Sequence, residues 1–148
     1  MIRAFLIAAW LSVPAVALAQ AVPEPDGYRM EAYRAPVPDT LHGAQVIGAD
    51  EAHDLWSDGA AFVDVMPRPP KPDNLPEDTL WREPPRQSIP GAVWLPNVGY
   101  GALAEETAAY FRQGLASVTG GDRGHPLVIF CLADCWMSWN ASIGQSAS

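Results

Sequence analysis

The chain has 148 residues, of which 49% are apolar and 18% charged, the size and balance of one ordinary globular domain. A formal net charge of -8 with no Lys/Arg cluster longer than a pair excludes the electrostatic footprint of a nucleic-acid binder. Fifteen prolines and twelve glycines point to long irregular loops, while six Trp, four Tyr and four Phe are too many aromatics for a disordered chain.

Residues 1–19 read as a secretory signal. Arg3 makes the start positive, residues 4–16 are apolar without a charge, and Ala17-Leu18-Ala19 gives the small-x-small pattern that a signal peptidase accepts before Gln20. The apolar run is short for a spanning helix and contains Pro14, so cleavage is expected rather than anchoring. The mature chain is then expected outside the cytoplasm, in a bacterial periplasm, with no membrane span and with both cysteines in an oxidising compartment.

Residues 20–43, rich in Pro, Glu, Asp and Tyr, are expected to form an extended arm anchored by Tyr28 and Tyr33. The remainder, 44–148, reads as one α/β domain. Residues 44–47 are a short strand candidate, and Asp50 is placed to cap a helix carrying Ala52, Leu55 and Trp56 on one side and stopping at Gly59. Ala61-Phe62-Val63-Asp64-Val65 is a strand of the kind covered on both faces. Residues 66–88 contain seven prolines, and a loop of this length is expected to be functional, as a lid.

A turn at Pro90-Gly91 then feeds a short strand bearing Trp94, for which a core position is expected. Leu103, Thr107, Ala108, Phe111, Leu115 and Val118 recur at helical spacing, with Glu105 and Glu106 in the first turn and Gly120-Gly121 at the end. Leu127-Val128-Ile129-Phe130 is a second fully apolar strand, ending at Cys131.

Cys131-Leu132-Ala133-Asp134-Cys135-Trp136-Met137-Ser138-Trp139-Asn140 leaves the C-terminal end of that strand, where open α/β sheets bind ligands, and enters a short helix. Amides at a helix start favour a thiolate, which makes Cys131 a candidate nucleophile. Cys135 is near enough in sequence to resolve or to lock a bond formed there. A permanent disulfide that only staples the loop is an equal alternative. Asp134, Trp136, Ser138 and Trp139 are the candidate binding residues around the two cysteines. Asp64 is expected to bond loop backbone rather than to do acid-base work.

Three segments together resemble a rhodanese-like domain: Phe62-Val63-Asp64-Val65, Ser88-Ile89-Pro90-Gly91-Ala92 and Leu127 through Cys131. More closely, Arg68-Pro69-Pro70, Trp94 through Gly101 and Cys131 through Asn140 resemble the periplasmic PQQ-dependent catabolism-associated CXXCW motif proteins. The resemblance implies a mostly parallel sheet flanked by helices, with Cys131 in the place of the sulfur-carrying cysteine. It also implies association with quinoprotein alcohol oxidation, and a periplasmic quinoprotein dehydrogenase or redox partner.

Two departures matter. Three residues, not two, separate the cysteines, so a thioredoxin-type mechanism does not carry over. Residues 143–148 do not look like the final strand and helix that the resemblance implies, and a truncated or frame-shifted reading of the gene is expected.

Three functions compete on the residues. The first is thiol redox or sulfur transfer at Cys131, although no Lys or Arg follows Arg123 to serve as the usual cation. The second is copper handling by two thiolates with Met137, with His42, His53 and His125 scattered. The third is a binding module in which Trp94, Trp136 and Trp139 line an aromatic groove with the proline-rich loop. No cofactor follows from the residues themselves.

Overall fold

The structure, a computed structural model, describes residues 21–146; the expected signal lies outside the described residues. It is an α/β arrangement of α1 (Ala49–Ser57), β1 (Ala61–Asp64), β2 (Val93–Trp94), α2 (Glu105–Thr119), β3 (Leu127–Phe130) and α3 (Trp136–Ser146). The three strands form one parallel sheet in the order β2-β1-β3. β1 pairs along its length with β3, Ala61 opposite Leu127 and Asp64 opposite Phe130, and through Val63 and Asp64 with β2.

Parallel neighbours require crossovers, and α2 supplies the one that carries the chain from β2 across β1 to the far edge. This connection aligns the C-terminal ends of β1 and β3 along one rim of the sheet. Cys131 therefore emerges beside the residues that follow Asp64.

The core lies where α2 and α3 meet the sheet. Val63, Val65, Leu95, Val98, Phe111, Leu115, Met137, Ala141 and Cys135 form one buried cluster. Burial of a large apolar side chain such as Phe111 contributes about 2 kcal/mol by area. Helix α2 opens with Glu105 and Glu106 against its dipole and ends at Gly120, whose φ of 64° is left-handed, as the sequence predicts. A second cluster of Leu41, Trp136 and Trp139 lies under the arm, with Val22, Tyr33, Ala35 and Val37 packed on it.

Several expectations are corrected. Residues 44–47 form no strand; their one pairing is an isolated bridge from Ala44 to Leu41. Helix α1 begins two residues earlier than expected, at Ala49, so Gly48 is the N-cap and Asp50 lies inside the first turn, with no side-chain cap bond. None of its residues is fully buried, which leaves Trp56 to bond the Pro90 carbonyl from a half-exposed position. β3 is apolar throughout, yet only Val128 is buried, because β3 is an edge strand among the described residues. Trp94 is partly exposed rather than core: its indole N–H donates to the Met66 carbonyl at 2.6 Å, and the Arg68 guanidinium lies 5.0 Å from its ring.

Candidate functional site

β3 holds Cys131 at the rim of the sheet, and α3 begins immediately after Cys135. Between them, residues 132–134 form an exposed turn in which Asp134 adopts a left-handed φ of 50°. The turn brings the two cysteines together as a disulfide, with Cα atoms 6.4 Å apart.

The two sulfurs have different surroundings. Cys135 is 3% exposed and belongs to the main core cluster, while Cys131 is half-buried at the rim. Cys131 Sγ lies 3.3 Å from the Cys135 carbonyl oxygen and 3.4 Å from Ser138 Oγ. The Ser138 hydroxyl also reaches the Cys135 carbonyl, at 3.4 Å, so it is a donor within range of a thiolate formed on Cys131. The first-turn amides of α3 lack intrahelical partners and favour negative charge at this end of the helix. Asp134 is the single ionisable side chain between the cysteines, and it is exposed.

Of the sequence-predicted residues, Cys131, Cys135 and Ser138 come together, and Asp134 stands at the tip of the turn. Trp136 and Trp139 pack under the arm instead, 1% and 5% exposed. Their rings meet edge-on at 5.0 Å, and their indole N–H groups donate to arm carbonyls, Trp136 to Pro36 at 3.1 Å and Trp139 to Thr40 at 3.2 Å. Arg29 lies over the Trp136 ring, 5.0 Å from its centroid.

The single aromatic groove expected of Trp94, Trp136 and Trp139 is therefore not formed. Trp139 borders a cavity of about 940 Å³ that also contains Cys131, whereas Trp94 borders a separate one of about 520 Å³ with Arg68, Arg86 and Tyr100. The proline-rich loop lines the second cavity and contributes no residue of 66–88 to the first, so it is not a lid over the cysteines. Met137, the third soft atom of a copper set, is buried in the core cluster. Among the described residues no group of three or more His, Cys, Asp or Glu is placed to hold a metal ion.

Asp64 is fully buried and structural, as expected. Its Oδ1 accepts the Met66 N–H at 2.9 Å, and its Oδ2 accepts Arg86 Nε at 2.8 Å and Ser88 Oγ at 2.6 Å. Both ends of the proline-rich loop are thereby tied to β1.

Asn140 is the residue that sequence reasoning passed over. It is 2% exposed; its Oδ1 accepts the Arg29 N–H at 2.9 Å, and its Nδ2 donates to the carbonyls of Arg29 at 2.8 Å and Gly99 at 2.9 Å. The signal available was an amide side chain between Trp139 and Ala141, one helical turn after Trp136. Tyr33, expected as an anchor, donates its hydroxyl to the carbonyls of Met30 at 2.9 Å and Tyr100 at 3.0 Å, while Tyr28 remains 38% exposed.

No family model matches the chain, and neither the curated proteins nor the solved structures contain a match to it. Among the described residues no helix is long and apolar enough to cross a membrane.

Proposed function

We propose that the chain is a periplasmic rhodanese-like protein whose functional centre is the Cys131–Cys135 pair, working by reversible thiol–disulfide exchange or sulfur carriage at Cys131 alongside a quinoprotein alcohol-oxidation system. The observation that carries this reading is the asymmetry of the pair. One sulfur is at the rim of a cavity beside the C-terminal end of a parallel strand, and its partner is buried behind it.

In the exchange reaction an incoming thiolate attacks Cys131 Sγ and forms a mixed disulfide. The Cys131–Cys135 bond breaks, and its electron pair goes to Cys135 Sγ, which leaves as a thiolate at the start of α3. A second incoming thiolate, or Cys135 itself in the reverse direction, resolves the mixed disulfide. The short ring spanned by the pair favours this role over a structural one, because closing so small a loop restricts the unfolded chain less than a long-range bridge does.

Equilibration of the protein with dithiothreitol couples, read by mass spectrometry after alkylation, tests the reading. The expected result is a single two-electron transition between a disulfide and a dithiol form, with the disulfide form recovered from the periplasm. A pair that resists reduction in the folded state would overturn it. The sulfur-carrying version is checked by thiosulfate turnover, where equal rates for the protein and for Cys131→Ser would remove it.

A further inference from the structure

The cavity beside the disulfide has a definite electrostatic character. It is walled by β3 and the cysteine turn on one side, through Ile129, Leu132, Ala133 and Ser138, and by the extended residues 43–48 on the other. Its volume, about 940 Å³, is ample for a small organic molecule. Cysteine apart, Glu51 is the single ionisable residue in its lining, and Asp134 is exposed on the adjoining turn. No Lys, Arg or His lines it. Arg34 meets Cys135 through a backbone bridge and is not part of the lining. The whole chain adds to the same sign, with a net charge of -8.

Charges of one sign around a cleft raise the local concentration of the opposite sign and lower that of their own. Anionic sulfur compounds such as thiosulfate or glutathione meet repulsion from these carboxylates with no cation in the cavity lining to offset it, whereas neutral or cationic ones do not. Resting on the thiol-exchange reading above, we infer that the Cys131–Cys135 centre exchanges with uncharged or cationic organic disulfides and thiols and discriminates against anionic ones.

The reaction balances without an additional reagent. In the reduced protein the Cys131 thiolate attacks one sulfur of R–S–S–R, the Cys131–S–R bond forms, and R–S⁻ leaves with the electron pair and takes a proton from water. Cys135 then attacks Cys131 Sγ, the Cys131–Cys135 bond forms and the second R–S⁻ leaves. The dithiol has lost two electrons and the external disulfide has gained them.

The test uses the reduced protein with three probes: cystamine (cationic), 2-hydroxyethyl disulfide (neutral) and oxidised glutathione (anionic). Each rate is divided by that of the same probe with dithiothreitol, so that intrinsic reactivity cancels. The expected order is cystamine, then the neutral disulfide, then glutathione. At low salt at least about tenfold should separate the ends, and the gap should narrow as salt is added. Glu51→Gln together with Asp134→Asn should compress the order. Equal normalised rates, a glutathione preference, or an order untouched by the double variant would overturn the inference and leave thiol exchange standing. Failure of all three probes to form the Cys131–Cys135 bond would overturn both.

Discussion

The main-chain N–H of Trp136 donates to the carbonyl of Tyr33 at 2.9 Å, so the residue that opens α3 is bonded to the arm. The neighbouring pair, Arg34 and Cys135, form an antiparallel bridge. The arm therefore supplies an acceptor for one of the orphan amides of α3 and fixes the backbone of the buried cysteine. With the two indole bonds and Asn140, this makes the arm part of the cysteine site rather than a tail beside it.

Asn140→Ala should show how much this attachment matters. It removes one acceptor and two donor bonds, leaving the Arg29 amide and the Arg29 and Gly99 carbonyls to find other partners. Unsatisfied buried groups cost about 1–3 kcal/mol each, with part recovered by water, so a loss of about 2 kcal/mol or more in urea unfolding is expected. Tryptic cleavage after Arg29 and Arg34 should accelerate in the folded protein. Unchanged stability and unchanged cleavage would show that the arm is held without Asn140.

Gly99 and Gly48 form a contrasting pair. A Cβ at Gly99 would lie 2.6 Å from Met137 Cα and 2.7 Å from its Cβ, against the first turn of α3, where backbone cannot yield cheaply. Gly99→Ala should therefore destabilise by about 2 kcal/mol or more. At Gly48 nothing lies within 4 Å, and Gly48→Ala should leave the melting temperature nearly unchanged. Thermal unfolding of the two variants checks both expectations at once.

What could be read from the sequence follows from what each residue needs. The apolar runs at β1 and β3, the period-3.6 pattern of α2 and its closing glycine, and the cysteine turn after a strand are local signals, and the structure contains all of them. Residues 44–47 misled because Val46 and Ile47 have strand propensity, while the neighbour that would pair with them is a tertiary matter; here they line a cavity instead. Trp136 and Trp139 were legible as important but not as inward-facing, because their partners, the carbonyls of Pro36 and Thr40, are about a hundred residues away and carry no sequence signature. Asp64 was legible in role, but its partners Arg86 and Ser88, far along the chain, were not.

Those partners make Asp64 sensitive. Its carboxylate is completely buried and meets the Arg86 guanidinium at 2.8 Å, so Arg86→Ala leaves a buried charge with only the Ser88 hydroxyl and the Met66 amide. Breaking a buried ion pair from one side is strongly unfavourable, and because Arg86 is partly open to solvent a loss of about 2–3 kcal/mol is expected. The double variant Arg86→Ala with Asp64→Asn should recover part of it. Equilibrium unfolding of the single and double variants measures the difference, and no recovery in the double would argue against an uncompensated charge.

Glu24 gives the arm an acid-sensitive contact. The Thr40 side chain, and then the His42 backbone N–H at 2.9 Å, hold its carboxyl below its usual value. A carboxylate with a depressed folded pKa adds stability above its unfolded pKa and loses it as pH falls through the folded value. The His42 amide resonance should therefore titrate with a midpoint below that of Glu24 in the urea-unfolded chain, and Glu24→Gln should abolish the titration. Since Glu24 is at the surface, global stability should change little. A His42 midpoint at or above the unfolded value would contradict the assignment.

The unequal burial of the two sulfurs leads to the sharpest expectation. In Cys135→Ser the remaining thiol is Cys131, half-buried at the cavity rim, with the Ser138 hydroxyl in reach to stabilise its thiolate. In Cys131→Ser the remaining thiol is Cys135, 3% exposed and packed among Val63, Val65 and Met137, where a reagent reaches it only when α3 or the arm opens. Iodoacetamide should therefore alkylate the first variant at least about tenfold faster than the second. Mild urea, by loosening the arm, should accelerate the second more than the first. Ser138→Ala in the Cys135→Ser background should slow alkylation by raising the Cys131 thiol pKa, a change visible as a shift of the pH-rate profile to higher pH. A structural role for Ser138 alone would leave that profile in place.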